Sequence, residues 1–207
     1  MLLVVVLIGL YWLQSRLPDG GKAYVEAFGL SPSRALAGDW KLYVTSMFLH
    51  GSWVHVLANS AFAFAFGPPV ARLFGTRPGG ALAFYAFYLV CGVAGGLGYV
   101  LTNVQSDAIA IGASGAVSGL MGAAIRLLNP ERRPGSMLTP TVIAMSVAFI
   151  VLNLVIGPTN LNPGTNGAPV AWQDHIAGYL AGFFLIGPWA RLFAPPAPAP
   201  DLADSFD

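Results

Sequence analysis

The chain has 207 residues, of which 56% are hydrophobic and only 9% charged, against about 25% charged in an ordinary soluble domain. So few charges do not cover the outside of a water-soluble fold, and lipid is the expected solvent for much of the surface. A net charge of +1 without a basic stripe argues against nucleic-acid binding, and a single cysteine, Cys91, excludes a disulfide framework and a cysteine-based zinc site.

The first segment, MLLVVVLIGLYWLQSRL, has no basic n-region and no Ala-x-Ala site, so it reads as a membrane span rather than a signal peptide. A long segment follows at 18–52, in which acids balance Lys22, Arg34 and Lys41. Further apolar stretches lie at 53–71, 80–102, 110–128, 138–157 and 173–193. With 1–17 they make six predicted spans, each near the ~20 residues a bilayer crossing needs. Backbone groups in lipid must be satisfied within the segment, so these are predicted helices, and no period-2 alternation suggests a barrel. The expected fold is an all-α, six-helix membrane bundle over 1–193. A Pro-rich, then acidic, tail at 194–207 is expected to be disordered. Cys91 lies in an apolar span and reads as a small packing residue.

Lys and Arg set the expected direction of the spans. Arg72 and Arg77 mark one loop, Arg126, Arg132 and Arg133 another, and Arg191 the C-terminal end; the loops at 103–109 and 158–172 have neither residue. Both termini are therefore expected on the cytoplasmic side. The even-numbered spans then all start at the outer face. His55 and Asn59 are four residues apart and share a helix face. Ser114 is expected about five residues into its span, roughly 8 Å down at 1.5 Å per residue. His175 falls in the first turn or so of the last span. Each residue has an ordinary explanation on its own: a serine bonding the carbonyl one turn back, an interfacial histidine, an asparagine joining helices. Four polar residues from three helices at one level instead suggest a site.

Glycines give a second reason. Gly115, Gly119 and Gly122 form one small-residue stripe, Gly178 and Gly182 another. Such stripes allow close helix approach. If they face each other, Ser114 and His175 come within hydrogen-bond reach. A neutral histidine then activates the hydroxyl, and Asn59, His55 and the Ser114 backbone N–H supply donors for an oxyanion. Asp174 points about 100° from His175 around the helix. It reads as an interfacial first-turn acid, which leaves a Ser–His dyad.

These residues resemble the rhomboid intramembrane serine proteases. The match consists of GASG at 112–115, HVLAN at 55–59 and HIAGYLAG at 175–182, with DWKLYVTSMFLHGSWVH at 39–55 similar to the family's outer loop. It runs from about residue 36 to residue 190. The resemblance implies Ser114 as nucleophile, His175 as general base, and His55, Asn59 and Gly112 at the oxyanion site. It implies a structural role for Trp40, Lys41 and His50. Its substrates would be transmembrane proteins, opened to an extended form and admitted sideways between the second and fifth spans, with no cofactor. A bacterial inner membrane is the expected location.

The chain departs from the family pattern at Ser118, where many relatives have Tyr stacked on the base, at Asp174, and at Lys41 in place of Arg. Tyr179 is a candidate to steady the base instead. Ser118 also rivals Ser114, because AVSG imitates GASG, but it lies one turn deeper. The loop GPTNLNPGTNGAPV at 157–170 is either a mobile cap or a plain connector. Three histidines without clustered carboxylates argue against a metalloprotease. Two non-protease readings are a catalytically inactive, membrane-protein-binding scaffold and a small transporter. The transporter predicts midplane charges and repeated halves that the sequence lacks.

Overall fold

The computed structural model describes residues 2–159 and 170–196. Most of the 157–170 loop and of the 194–207 tail lies outside the described residues. Helix α1 spans Leu2–Gln14. Three short helices follow: α2 (Lys22–Phe28), α3 (Pro32–Leu36) and α4 (Leu42–Thr45). Five longer ones complete the chain: α5 (Trp53–Phe74), α6 (Pro78–Thr102), α7 (Ser114–Ile125), α8 (Pro140–Ile156) and α9 (Trp172–Phe193).

Local chemistry sets several boundaries. Ser52 and Thr139 accept from the backbone N–H groups of His55 and Val142, capping α5 and α8. Pro78 and Pro140 start α6 and α8, where a missing N–H costs nothing. Gly75 closes α5 with φ +84°.

Helices α5, α6 and α9 are long and apolar enough to cross a membrane, at 22, 25 and 22 residues. Helices α1, α7 and α8 are apolar but shorter, at 13, 12 and 17 residues. At 1.5 Å per residue α7 is about 18 Å long, against a hydrocarbon core of about 30 Å. The six apolar stretches thus resolve into three long helices and three short ones. The clearest difference from the sequence reading is at 110–128, which is helical only from Ser114 to Ile125. Ala110 instead exchanges backbone hydrogen bonds with Leu30 in an isolated antiparallel bridge, and Gly112 turns the chain with φ +119°. Ser114 therefore sits at the first residue of its helix, not a turn and a half inside it.

Helix α7 is the axis of the bundle. All its residues except Ser114 and Met121 are buried, among α5, α6 and α9. A helix enclosed on all sides needs no polar face, which explains its uniformly small and apolar sequence. Helix α8 is the opposite case, burying only Val142 and Asn153.

The glycine stripes do face each other. A methyl group added to Gly178 would strike the Gly115 carbonyl, one on Gly182 the Gly119 carbonyl, and one on Gly122 the Tyr179 carbonyl. Cys91 is fully buried beside Gly119, as a packing residue should be.

Helix α1 is fixed by a side chain the sequence reading passed over. Gln14 Nε2 donates to the His50 carbonyl at 2.8 Å, and the His50 N–H donates to Gln14 Oε1 at 3.1 Å. Both residues are buried. Gln14→Leu strands two buried backbone groups and should cost about 1–3 kcal/mol for each group left unpaired. The check is thermal unfolding in detergent, where a Tm equal to wild type would show the pairing to be dispensable.

Candidate active site

The segment 39–55 delivers two histidines to the top of α5. Asp39 bridges Arg34 at 2.8 Å and Lys41 at 3.1 Å. The Lys41 ammonium, helped by Arg34, holds the Asp39 carboxyl below the usual range. Lys41 thus keeps an ion pair where a fork-shaped guanidinium is the family habit. Trp40 is 76% exposed, so it contributes no packing within the chain.

His50 is fully buried, with both ring nitrogens unpartnered among the described residues. Its ring meets that of His55 edge-on at 5.0 Å and that of Tyr11 at 6.2 Å. Burial holds the His50 imidazole far below the ordinary histidine range, and the neighbouring His55 pushes the same way. A neutral ring wedged between α1 and α5 is a structural part.

His55 and Asn59 both face Gly112. A methyl group on Gly112 would lie 2.6 Å from His55 Nε2 and 3.5 Å from Asn59 Nδ2. Glycine is required twice here, by the positive φ and by the two side chains in the space a Cβ would take. Asn59 Nδ2 is buried without a hydrogen-bond partner among the described residues. An unpaired buried donor is costly, and this one lies against Gly112, two residues before Ser114.

Ser114 opens α7, whose first backbone N–H groups have no partner within the helix. Among the described residues no hydrogen bond joins Ser114 to His175. The Ser114 hydroxyl donates to Asp174 Oδ2 at 3.5 Å, the outer limit of a hydrogen bond and therefore a weak one.

Asp174 lies in the first turn of α9, as the sequence reading has it, and its carboxylate also has partners that the reading did not foresee. Its carboxylate is lodged between two glycines: a methyl on Gly95 would lie 2.5 Å from Oδ1, and one on Gly115 2.5 Å from both oxygens. The Gly115 backbone N–H is directed at the same carboxylate. Asp174 thus caps α7 from α9, where a negative charge also suits the helix dipole. Gly95 on α6 and Gly115 on α7 lack side chains at that point and so admit the carboxylate.

His175 is held by a residue the sequence reading missed. Its Nδ1 lies 2.8 Å from Asn153 Oδ1 on α8. Asn153 is one polar residue in the apolar run FIVLNLVI, and an amide in such a run is itself a signal. Among the described residues Tyr179 has ring and hydroxyl partners other than the base. Its ring stacks on Phe149 at 4.7 Å and on Phe183 at 6.0 Å, and its hydroxyl pairs with Ser146 at 2.6 Å. Ser118 is buried one turn below Ser114.

Among the described residues no group of three metal-binding side chains occurs.

The family profile described as Rhomboid domain matches residues 37–191. RHOMBOID-like protein 5 of Arabidopsis thaliana is 32% identical over 151 residues, covering 70% of this chain and 42% of that protein. Rhomboid protease GluP of Bacillus subtilis is 28% identical over 170 residues, 80% of this chain and 30% of that one. Putative rhomboid protease YdcA of the same organism is 28% identical over 148 residues, 72% of this chain and 66% of that one. The aligned part is less than half of the Arabidopsis protein and under a third of GluP. With a profile match over most of its length and apolar helices throughout, the chain is an integral membrane protein of the rhomboid family.

Proposed function

We propose that the protein is an intramembrane serine endopeptidase that cleaves transmembrane segments of other membrane proteins. The observation that carries the reading is the arrangement around Gly112. Two nitrogen-bearing side chains, His55 and Asn59, border the space its missing side chain leaves, with Ser114 two residues away. Relatives named as rhomboid proteases support the same class of activity. In this reading all six apolar helices lie in the bilayer, and both termini face the cytoplasm, on the strength of the Arg-bearing loops. A bacterial inner membrane is the proposed site.

In the proposed reaction His175 accepts the Ser114 proton as Oγ attacks the scissile carbonyl carbon. The carbonyl oxygen becomes an oxyanion, which accepts hydrogen bonds from Asn59 Nδ2, a protonated nitrogen of His55 and the Ser114 backbone N–H. His175 then returns the proton to the leaving amine, and an acyl-enzyme remains. Water gives up a proton to His175 as it attacks the ester carbonyl, and His175 passes that proton to the departing Ser114 Oγ, which frees the serine and the acid product. The weak Ser114–Asp174 contact is exchanged for one with His175 at little cost.

The test is incubation of purified protein in detergent with a reporter transmembrane substrate, with the new termini mapped by mass spectrometry. The reading predicts a cut within or beside the transmembrane segment. A chain that binds the reporter without cutting it is the inactive scaffold. Asn59→Ala should lower kcat about 10²- to 10³-fold, the usual loss of one oxyanion donor, and leave KM nearly unchanged. An equal loss through KM alone would place Asn59 in substrate binding instead.

A further inference from the structure

We propose that Asn153 is the positioning residue for His175: it fixes the ring as the Nδ1–H tautomer and leaves Nε2 free to accept the Ser114 proton. The inference rests on His175 being the general base. It deepens that reading by naming the third member of the site, on a helix the sequence motifs do not touch.

The hydrogen bonds determine the assignment. Asn153 Nδ2 donates to the Phe149 carbonyl at 2.9 Å. A carbonyl oxygen only accepts, so the amide nitrogen must face it and the amide oxygen must face away. That oxygen, Oδ1, lies 2.8 Å from His175 Nδ1. An amide oxygen also only accepts, so Nδ1 must carry the hydrogen. In a neutral imidazole the other nitrogen, Nε2, then holds the lone pair. Asn153 is buried, and Val142 is the only other buried residue of α8. The amide is therefore shielded from water and pinned at both ends.

Among the described residues the rest of the site supplies no other orienter. Asp174 adjoins His175 in sequence, but its carboxylate is engaged with Ser114 and the α7 backbone. Tyr179 is committed to Ser146 and Phe149. The tyrosine that relatives use next to the base is Ser118 here. A neutral acceptor keeps the imidazole in one tautomer without adding a buried charge beside it.

The experiment uses the full-length protein in detergent with 15N-labelled histidine. The chain has three histidines, so His175→Gln identifies the His175 signals by their loss. The proposal predicts that neutral His175 shows Nδ1 as its protonated nitrogen in the wild type. It also predicts that Asn153→Leu removes that preference and slows fluorophosphonate labelling about 10²-fold or more, within what a correctly placed base supplies. Asn153→Asp keeps an acceptor, so it should retain the tautomer and recover most of the rate. It should also move the acid limb of the labelling pH profile upward, because a nearby carboxylate favours the imidazolium. A role limited to holding α8 against α9 moves neither the tautomer nor the profile.

The proposal is overturned if neutral His175 carries its hydrogen on Nε2 in the wild type, or if folded Asn153→Leu labels as fast as wild type. The wild-type spectrum decides the first point even where Asn153→Leu does not fold. Failure of the underlying reading looks different: His175→Gln would then label like wild type, whatever the state of Asn153.

Discussion

Ser114→Ala and His175→Ala should each abolish cleavage of a reporter transmembrane substrate, by about 10⁴-fold or more, as removal of a nucleophile or its base does in serine proteases generally. Ser118→Ala should keep most of it. Cleavage rates of the four proteins, measured side by side with equal folded protein, give the check. The expectation follows from where the serines sit. Ser114 occupies the first residue of α7, beside Gly112 and the turn that bears the positive φ. Among the described residues its hydroxyl makes one hydrogen bond, at 3.5 Å, and is easily redirected. Ser118 is buried a full turn further along the most enclosed helix of the bundle. Water and an extended peptide reach the helix start far more readily than that position. If Ser118→Ala were the inactive variant, Gly112, His55 and Asn59 would be grouped around the wrong serine.

Gly182→Ala should give the largest loss of stability among single-methyl changes. Alanine gains about 1 kcal/mol over glycine in a helix. Here the new methyl meets the Gly119 carbonyl, which belongs to a helix backbone and cannot rotate away. Helices α7 and α9 must separate, and contacts along their whole seam weaken. Overpacking of this kind costs about 1–3 kcal/mol and sometimes more, so the clash outweighs the propensity. Separation also draws His175 from Ser114, so activity should fall further than stability. Gly187→Ala is the control on the same helix. Nothing lies within 4 Å of the position its methyl would take, so the variant should be neutral or gain up to about 1 kcal/mol. Thermal unfolding of both variants in one detergent distinguishes the cases. Equal Tm values would mean the glycine seam does not set the helix spacing.

Much of this arrangement is legible in the residues. The facing stripes of Gly115 and Gly119 with Gly178 and Gly182 follow from small-residue spacing alone. His55 and Asn59 share a face because they are four apart on a helix. What escapes the sequence is set between elements. The helix carrying Ser114 starts late because Ala110 pairs with Leu30, a contact eighty residues away that no local pattern announces. Asp174 is drawn inward by a gap formed from Gly95 and Gly115 on two other helices. Reading it against its own helix alone misses these partners. Asn153 and Gln14 are single amides in apolar runs. Their roles depend on partners twenty-two and thirty-six residues distant. In a membrane chain each such amide is worth tracing, since lipid offers it nothing to bond.

The most direct measurement is peptide mass spectrometry of the purified protein after reaction with a fluorophosphonate. The account predicts one adduct, on the peptide that carries Ser114, and its loss in His175→Ala. An adduct on Ser118, or none on folded wild-type protein, would contradict it.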